Sequence, residues 1–140
     1  MKKNTDELQT QLRSAKDISL FLEENRGSFS SMDFPGTLEK MIAKKGITKA
    51  ALAERSGMSE VYLYQVLSGK RNPTRTRIIC LCIGLRATLE ETQRLLQCSG
   101  QAVLYSRNRS DAIIMYGIMN RMDLYKINEM LFRQDENTLV

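Results

Sequence analysis

The stretch from Ile47 to Pro73, ITKAALAERSGMSEVYLYQVLSGKRNP, constrains this chain more than any other. It asks for two short helices that meet at a glycine turn. Thr48 can cap a helix beginning at Lys49, because its hydroxyl accepts a bond from a free backbone amide. Leu52 and Ala53 then point inward, and Ala53 is small enough for a second helix to cross closely. Glu54 and Arg55 face water. Gly57 ends the helix, since glycine takes the left-handed conformation without steric cost. Met58 plugs the corner, and Ser59 caps the next helix. Leu63, Val66 and Leu67, spaced three and four apart, form the inner face of that helix. Glu60, Val61, Tyr64 and Gln65 form its outer face. Gly69 closes it, and Lys70 and Arg71 follow.

Counted from Lys49, the small residue is fifth, the glycine ninth, and apolar residues are tenth, fifteenth and eighteenth. One glycine or alanine would mean little, but the whole set is demanding. The segment resembles the Cro/C1-type (XRE-like) helix-turn-helix, the lambda-repressor-like DNA-binding domain, over roughly Thr37 to Leu96. The resemblance implies an all-α fold of five short helices, the third being the recognition helix. That helix would be Ser59 to Ser68 here. Lys49, at the start of the preceding helix, would sit near a phosphate or an outer base edge.

Charge points the same way. Residues 37–86 hold ten bases and three acids, a net of +7. Residues 1–36 have five bases and six acids, and residues 87–140 have six bases and seven acids, so each is −1 and the chain is +5. The positive charge is concentrated on the segment with the DNA-binding pattern, as phosphate contact requires.

Other classes fare less well. The chain has no histidine, hence no histidine general base and no Ser–His or Cys–His nucleophile pair. No phosphate-cradling glycine loop is present. Glu23–Glu24 and Glu90–Glu91 fit solvated helix faces better than a catalytic dyad, and Glu90 and Glu91 suit the first turn of a helix. An enzyme is not expected, nor a cofactor or a metal site. Cys80, Cys82 and Cys98 are an odd number in apolar helical stretches. They read as core residues of a cytoplasmic protein without disulfides. No apolar run is long enough to span a membrane, and the start, MKKNTDELQTQL, lacks the apolar core of a signal peptide.

No segment alternates as a strand would, so the chain reads as wholly helical. The expected organisation is an N-terminal amphipathic helix and loop (1–36), a DNA-binding domain (37–100) and a C-terminal helical hairpin (101–140). The first helix runs from about Thr5 to Glu24, with Leu8, Leu12, Ala15, Ile18, Phe21 and Leu22 on one face. Arg26 to Pro35 reads as a loop, and the domain begins near Thr37 with Leu38, Met41 and Ile42 inward. Pro73-Thr74 opens a helix ending at Gly84, and Thr88 with Glu91 makes a capping box for the next. The stretch from Arg77, RIICLCIGLRATLEETQRLLQ, also aligns with AIIMYGIMNRMDLYKINEMLF from Ala112, at an offset of 35. Ile78-Ile79 matches Ile113-Ile114, Arg86 matches Arg121, Leu95-Leu96 matches Met130-Leu131, and Thr88 and Asp123 are the matching caps. Either the hairpin repeats and stacks, or two amphipathic hairpins align by chance.

Double-stranded DNA is the expected partner. Thr48, Lys49 and Ser59 lie at the helix starts, and Glu60, Val61, Tyr64 and Gln65 face the groove floor. Gln65 suits adenine, Glu60 can accept from cytosine N4, and Val61 or Tyr64 can touch a thymine methyl. Lys70, Arg71 and Arg75 would grip phosphates and set register. Tyr62 is expected half-buried against the preceding helix. The recognition helix contains no Arg or Lys, which keeps a second reading open: a scaffold on which Val61 and Tyr64 contact a protein partner. A homodimer would place two recognition helices about one DNA turn, roughly 34 Å, apart. The sequence expectation is thus a transcriptional regulator that binds specific DNA sequences.

Overall fold

The computed structural model of the protein describes residues 5–24 and 33–140. The chain divides into two compact units, Met1–Ser31 and Met32–Val140. The described residues are helical throughout, with no strand among them.

In the first unit, α1 (Thr5–Ser14) packs on α2 (Ile18–Glu24). One continuous helix over this stretch was expected, and the structure corrects that. The Ser14 hydroxyl turns back onto the Gln11 carbonyl at 3.1 Å, and Asp17 Oδ1 accepts from the Ser19 amide at 2.9 Å. Short polar side chains that bond nearby backbone compete with helix continuation, and here they end one helix and cap another. Gln11 donates to Glu24 across the hairpin at 3.2 Å.

The second unit holds α3 (Phe34–Lys45), α4 (Lys49–Arg55), α5 (Glu60–Leu67), α6 (Arg75–Gly84), α7 (Leu89–Cys98), α8 (Arg109–Met119) and α9 (Leu124–Arg133). Helix α3 begins three residues earlier than expected. Asp33 caps it by accepting from the Gly36 amide at 3.0 Å, which puts Pro35 in the first turn, where its missing N–H costs nothing. Arg26 to Met32, including Gly27 and the serine-rich patch, lie outside the described residues.

Leu38, Leu52, Leu63, Val66, Ile78, Leu81, Leu95 and Leu96 are fully buried or nearly so, and Ile114, Ile127, Leu131 and Leu139 continue the same core. The helix-turn-helix segment and the C-terminal hairpin therefore share one apolar interior. Cys80 and Cys82 are buried in it, and burial pushes their thiols up to about 11 and about 12. Among the described residues no cluster could hold a metal ion, and no helix is long and apolar enough to cross a membrane.

The two aligned hairpins turn with the same backbone geometry. Arg86 and Arg121 both take φ of 55°, unusual for a side-chain-bearing residue. Each ends its helix with the same pair of backbone hydrogen bonds: Arg86 N to Ile83 O and Ala87 N to Cys82 O, Arg121 N to Ile118 O and Met122 N to Gly117 O, all 2.9–3.1 Å. The ends of α7 and α9 match as well, at Gly100 (φ 76°) and Asp135 (φ 59°). Helix α6 packs on α7 and α9, and α8 on α7 and α9. Each helix thus touches its own hairpin partner and the non-equivalent helix of the other hairpin, as a local two-fold arrangement would give.

Candidate nucleic-acid interface

Both helices of the Ile47–Pro73 segment start as their caps dictate. The Thr48 hydroxyl accepts from the Ala51 amide at 3.1 Å, and the Ser59 hydroxyl accepts from the Tyr62 amide at 3.1 Å. Between them Gly57 sits at φ 68°, and Met58 N bonds Ala53 O at 3.0 Å, which closes α4 and fixes the corner. A Cβ at Gly57 would stand 3.2 Å from Leu124 Cδ2 and 3.4 Å from Val140 Cγ1, so the C-terminal hairpin and tail back the turn directly. The tail is held by Leu139 N on Asn128 Oδ1 at 2.7 Å and by the Cys80 thiol, 3.8 Å from the Leu139 carbonyl.

Ala53 is 2 % exposed, as the crossing of two helices requires. A tighter approach lies one turn on. A Cβ at Gly84 of α6 would fall 2.2 Å from Ser56 Oγ, and that hydroxyl is buried with no hydrogen-bond partner among the described residues. Only glycine lets the end of α4 reach the backbone of α6 here. The spacing in the sequence does not signal this contact, because Gly84 reads there as a helix end.

The outer face of α5 presents Glu60, Val61 and Tyr64 to solvent, with Gln65 half-buried; Val61 is 67 % exposed. Lys49 Nζ lies 5.5 Å from the centre of the Tyr64 ring and 3.2 Å from Glu39 Oε1. That brings Lys49 from α4 to Tyr64 on α5. Just past α5, Arg71 Nε donates to Gln65 Oε1 at 2.7 Å. The guanidinium is also 5.9 Å from the Tyr62 ring centre, and that of Arg77 is 4.9 Å from the same ring. Tyr62 is half-buried, as expected, with Arg71 and Arg77 as cationic neighbours. Arg77 had no place in the sequence-derived site. Lys70 is exposed and has no ion-pair partner among the described residues.

Arg75 behaves differently from its expected role as a phosphate grip. Its guanidinium donates to both Asp111 carboxylate oxygens at 3.3 and 2.9 Å, to Ala102 O at 2.8 Å and to Val103 O at 3.2 Å. Asp111 is 7 % exposed and also accepts from the Tyr105 amide at 3.0 Å. The planar fork of arginine suits such a multidentate clasp, which ties the start of α6 to the first turn of α8 and to the loop before it. Four of the five Arg75 N–H donors are therefore already committed, which leaves no fork for a phosphate. Lys44 and Lys45 are committed too, with Nζ atoms 3.1 and 2.8 Å from Glu91.

The family model described as helix-turn-helix domain matches residues 10–95, more than half of the chain. This protein belongs to the helix-turn-helix domain family. Neither a curated protein nor a solved structure matches it. The helix-turn-helix is a DNA-binding architecture in which the first helix crosses the backbone and the second enters the major groove. In this helix-turn-helix protein the two helices that meet at the glycine turn are α4 and α5.

Proposed function

We propose that this protein binds double-stranded DNA in a sequence-specific manner, with α5 as its recognition helix, and acts as a Cro/C1-type transcriptional regulator. The observation that carries the reading is the Arg71–Gln65 pair. It supplies a guanidinium at the end of a helix that contains no basic residue of its own. Arg71 keeps its two terminal nitrogens for an acceptor such as a phosphate or guanine, while Gln65 retains its amide N–H groups for adenine N7. Val61 and Tyr64 are exposed for thymine methyl contact, and Glu60 for cytosine N4. Thr48, Lys49, Ser59 and Lys70 surround them as phosphate-contacting groups. The net +7 of residues 37–86 supplies the attraction. A homodimer on a near-palindromic site is the assembly this role calls for.

The test is fluorescence anisotropy of the full chain with a pool of random duplexes at two salt concentrations, followed by sequencing of the bound fraction. Salt-sensitive binding with an enriched two-fold symmetric motif is the expected result. Lys70→Ala should weaken binding to every sequence and flatten the salt slope by about one unit. Absence of binding at low salt would overturn the reading.

A second reading, a helix-turn-helix that serves as a protein-interaction module, is favoured by the exposed Val61–Tyr64 pair on α5. It predicts that Lys70→Ala changes little while Tyr64→Ala abolishes the complex.

A further inference from the structure

A helix end that passes through positive φ favours glycine, and this chain follows that rule at Gly46, Gly57, Gly69 and Gly100. Arg86, Arg121 and Asp135 depart from it, and each bears a steric cost. Strain kept in a backbone points to a use for the side chain at that position. The two arginines stand 35 residues apart in the chain, yet both line one open cleft of about 800 Å³. Arg55, at the end of α4, and Lys126, in the first turn of α9, line it as well.

These four bases differ from others in the second unit. Lys44, Lys45, Lys49, Arg75, Arg109 and Arg133 are each paired with a carboxylate. Arg55, Arg86, Arg121 and Lys126 are exposed and have no ion pair among the described residues. The acids of the cleft are Glu54 and Asp123. Asp123 is engaged in capping α9, where its Oδ1 accepts from the Lys126 amide at 2.9 Å. Four bases against two acids leave the lining side chains at a net +2.

We propose that this cleft binds a small organic polyanion, a molecule with at least two phosphate or carboxylate groups and an apolar or aromatic body. Guanidinium forks pair bidentately with either group, and arginines on two separate turns suit two such groups. Unpaired like charges around one cleft repel, and an anion between them turns that repulsion into attraction. Ile83, Met122 and Leu124 add apolar lining, and Tyr125, 76 % exposed, offers a ring at the edge. The volume falls within the roughly 300–1,000 Å³ of small-molecule sites. The proposed DNA surface lies elsewhere: Lys49 and Arg55 stand at opposite ends of α4, roughly 9 Å apart along its axis. Leu124 and Val140 line the cleft and also back Gly57, so a ligand here touches the residues that support the helix-turn-helix.

The experiment is isothermal titration calorimetry of the full chain with pyrophosphate, citrate and ATP, at ionic strength matched with chloride. Saturable binding of at least one probe is expected, weakening as chloride is raised. Arg86→Gly and Arg121→Gly should each lower that affinity at least about tenfold without lowering the thermal midpoint, which a merely structural arginine would not do. Arg94→Ala removes one exposed charge of α7 outside the cleft and should leave the affinity unchanged. Preference for pyrophosphate or ATP assigns a phosphate ligand and preference for citrate a carboxylate; either bears the proposal out. Absence of saturable binding by all three probes would overturn it. So would binding that neither glycine variant weakens, or that Arg94→Ala weakens as much. Poly-glutamate bound in preference to all three would assign the cleft to an acidic protein segment. A duplex whose affinity falls with the glycine variants, while the probes do not bind, would assign these bases to DNA; both results overturn it. The probe titrations contain no DNA, so they stand or fall apart from the DNA-binding reading.

Discussion

Glu91 accepts from Lys45, from the Thr88 amide at 2.8 Å and from Lys44, while its own amide bonds the Thr88 hydroxyl. Burial works to raise its pKa. The hydrogen bonds from Lys45, Thr88 and Lys44, with the charge of Lys45, outweigh burial and hold the carboxyl at about 2. The folded protein thus binds this proton less readily than the unfolded chain. Its contribution is complete above the ordinary glutamate range, from about pH 5, and drains away as pH falls toward 2. A shift of this size corresponds to on the order of 3 kcal/mol at neutral pH. Glu91→Gln should lose most of that at pH 7 and little at pH 2.5, as chemical denaturation at the two values will show. The sequence disclosed the capping box but not the two lysines, which arrive from α3, 46 and 47 residues away.

Arg71 illustrates the same limit at the interface. Its position after α5 marks it as a phosphate grip, and only the fold brings its Nε onto Gln65 Oε1. Gln65→Ala should therefore do two things at once. It should remove preference for adenine at one position, and it should release Arg71 and relax preference at the neighbouring position. Selection from a randomised duplex pool reads both; loss of preference at a single position would show that the pair does not act as a unit.

At the scale of elements, the hairpin turns at Arg86 and Arg121 pay a steric cost for ending their helices with φ of 55°. Glycine avoids that cost, which is about 1 kcal/mol, although it adds freedom to the unfolded chain. Arg86→Gly and Arg121→Gly should each raise stability by about 0.3–1 kcal/mol in urea denaturation, and by similar amounts, because both residues sit at the same φ. The offset of 35 was legible in the apolar residues and the caps. The two hairpins also end their first helices with the same backbone bonds, but so do α4, α5, α7 and α9, so these bonds belong to helix ends in general. The break between α1 and α2 was missed. The apolar face of residues 5–24 continues across it, while Ser14 and Asp17, two small polar residues, divide the helix. Periodicity reports the face and says nothing about which polar residues bond the backbone.

Across the whole second unit, the C-terminal tail is part of the helix-turn-helix rather than an appendage. Leu139 is 9 % exposed and holds Val140 against Gly57. Leu139→Ala should cost about 2–3 kcal/mol as a core truncation. It should also weaken DNA binding beyond what the loss of folded protein explains, since α5 is aimed by the turn that the tail supports. Anisotropy on the variant, corrected for its folded fraction, measures the difference. Nothing in the sequence ENTLV announces this role; a short mixed segment acquires it only from the cleft into which it folds. Arg75 is its counterpart at the other end of the hairpin. It lies among bases that face solvent, yet it is bound to Asp111, 36 residues away.

The contact between the tail and the turn also has a bearing on time. The caps at Thr48 and Ser59 and the bend at Gly57 are local, so this corner can form within microseconds of collapse. Its backing arrives from more than eighty positions away. Contacts of such separation form late, when the rest of the chain is already ordered. Weakening the tail should therefore quicken unfolding while leaving the refolding rate nearly unchanged. The lifetime of the folded helix-turn-helix, rather than the speed with which it is made, is then what Leu139 and Val140 set.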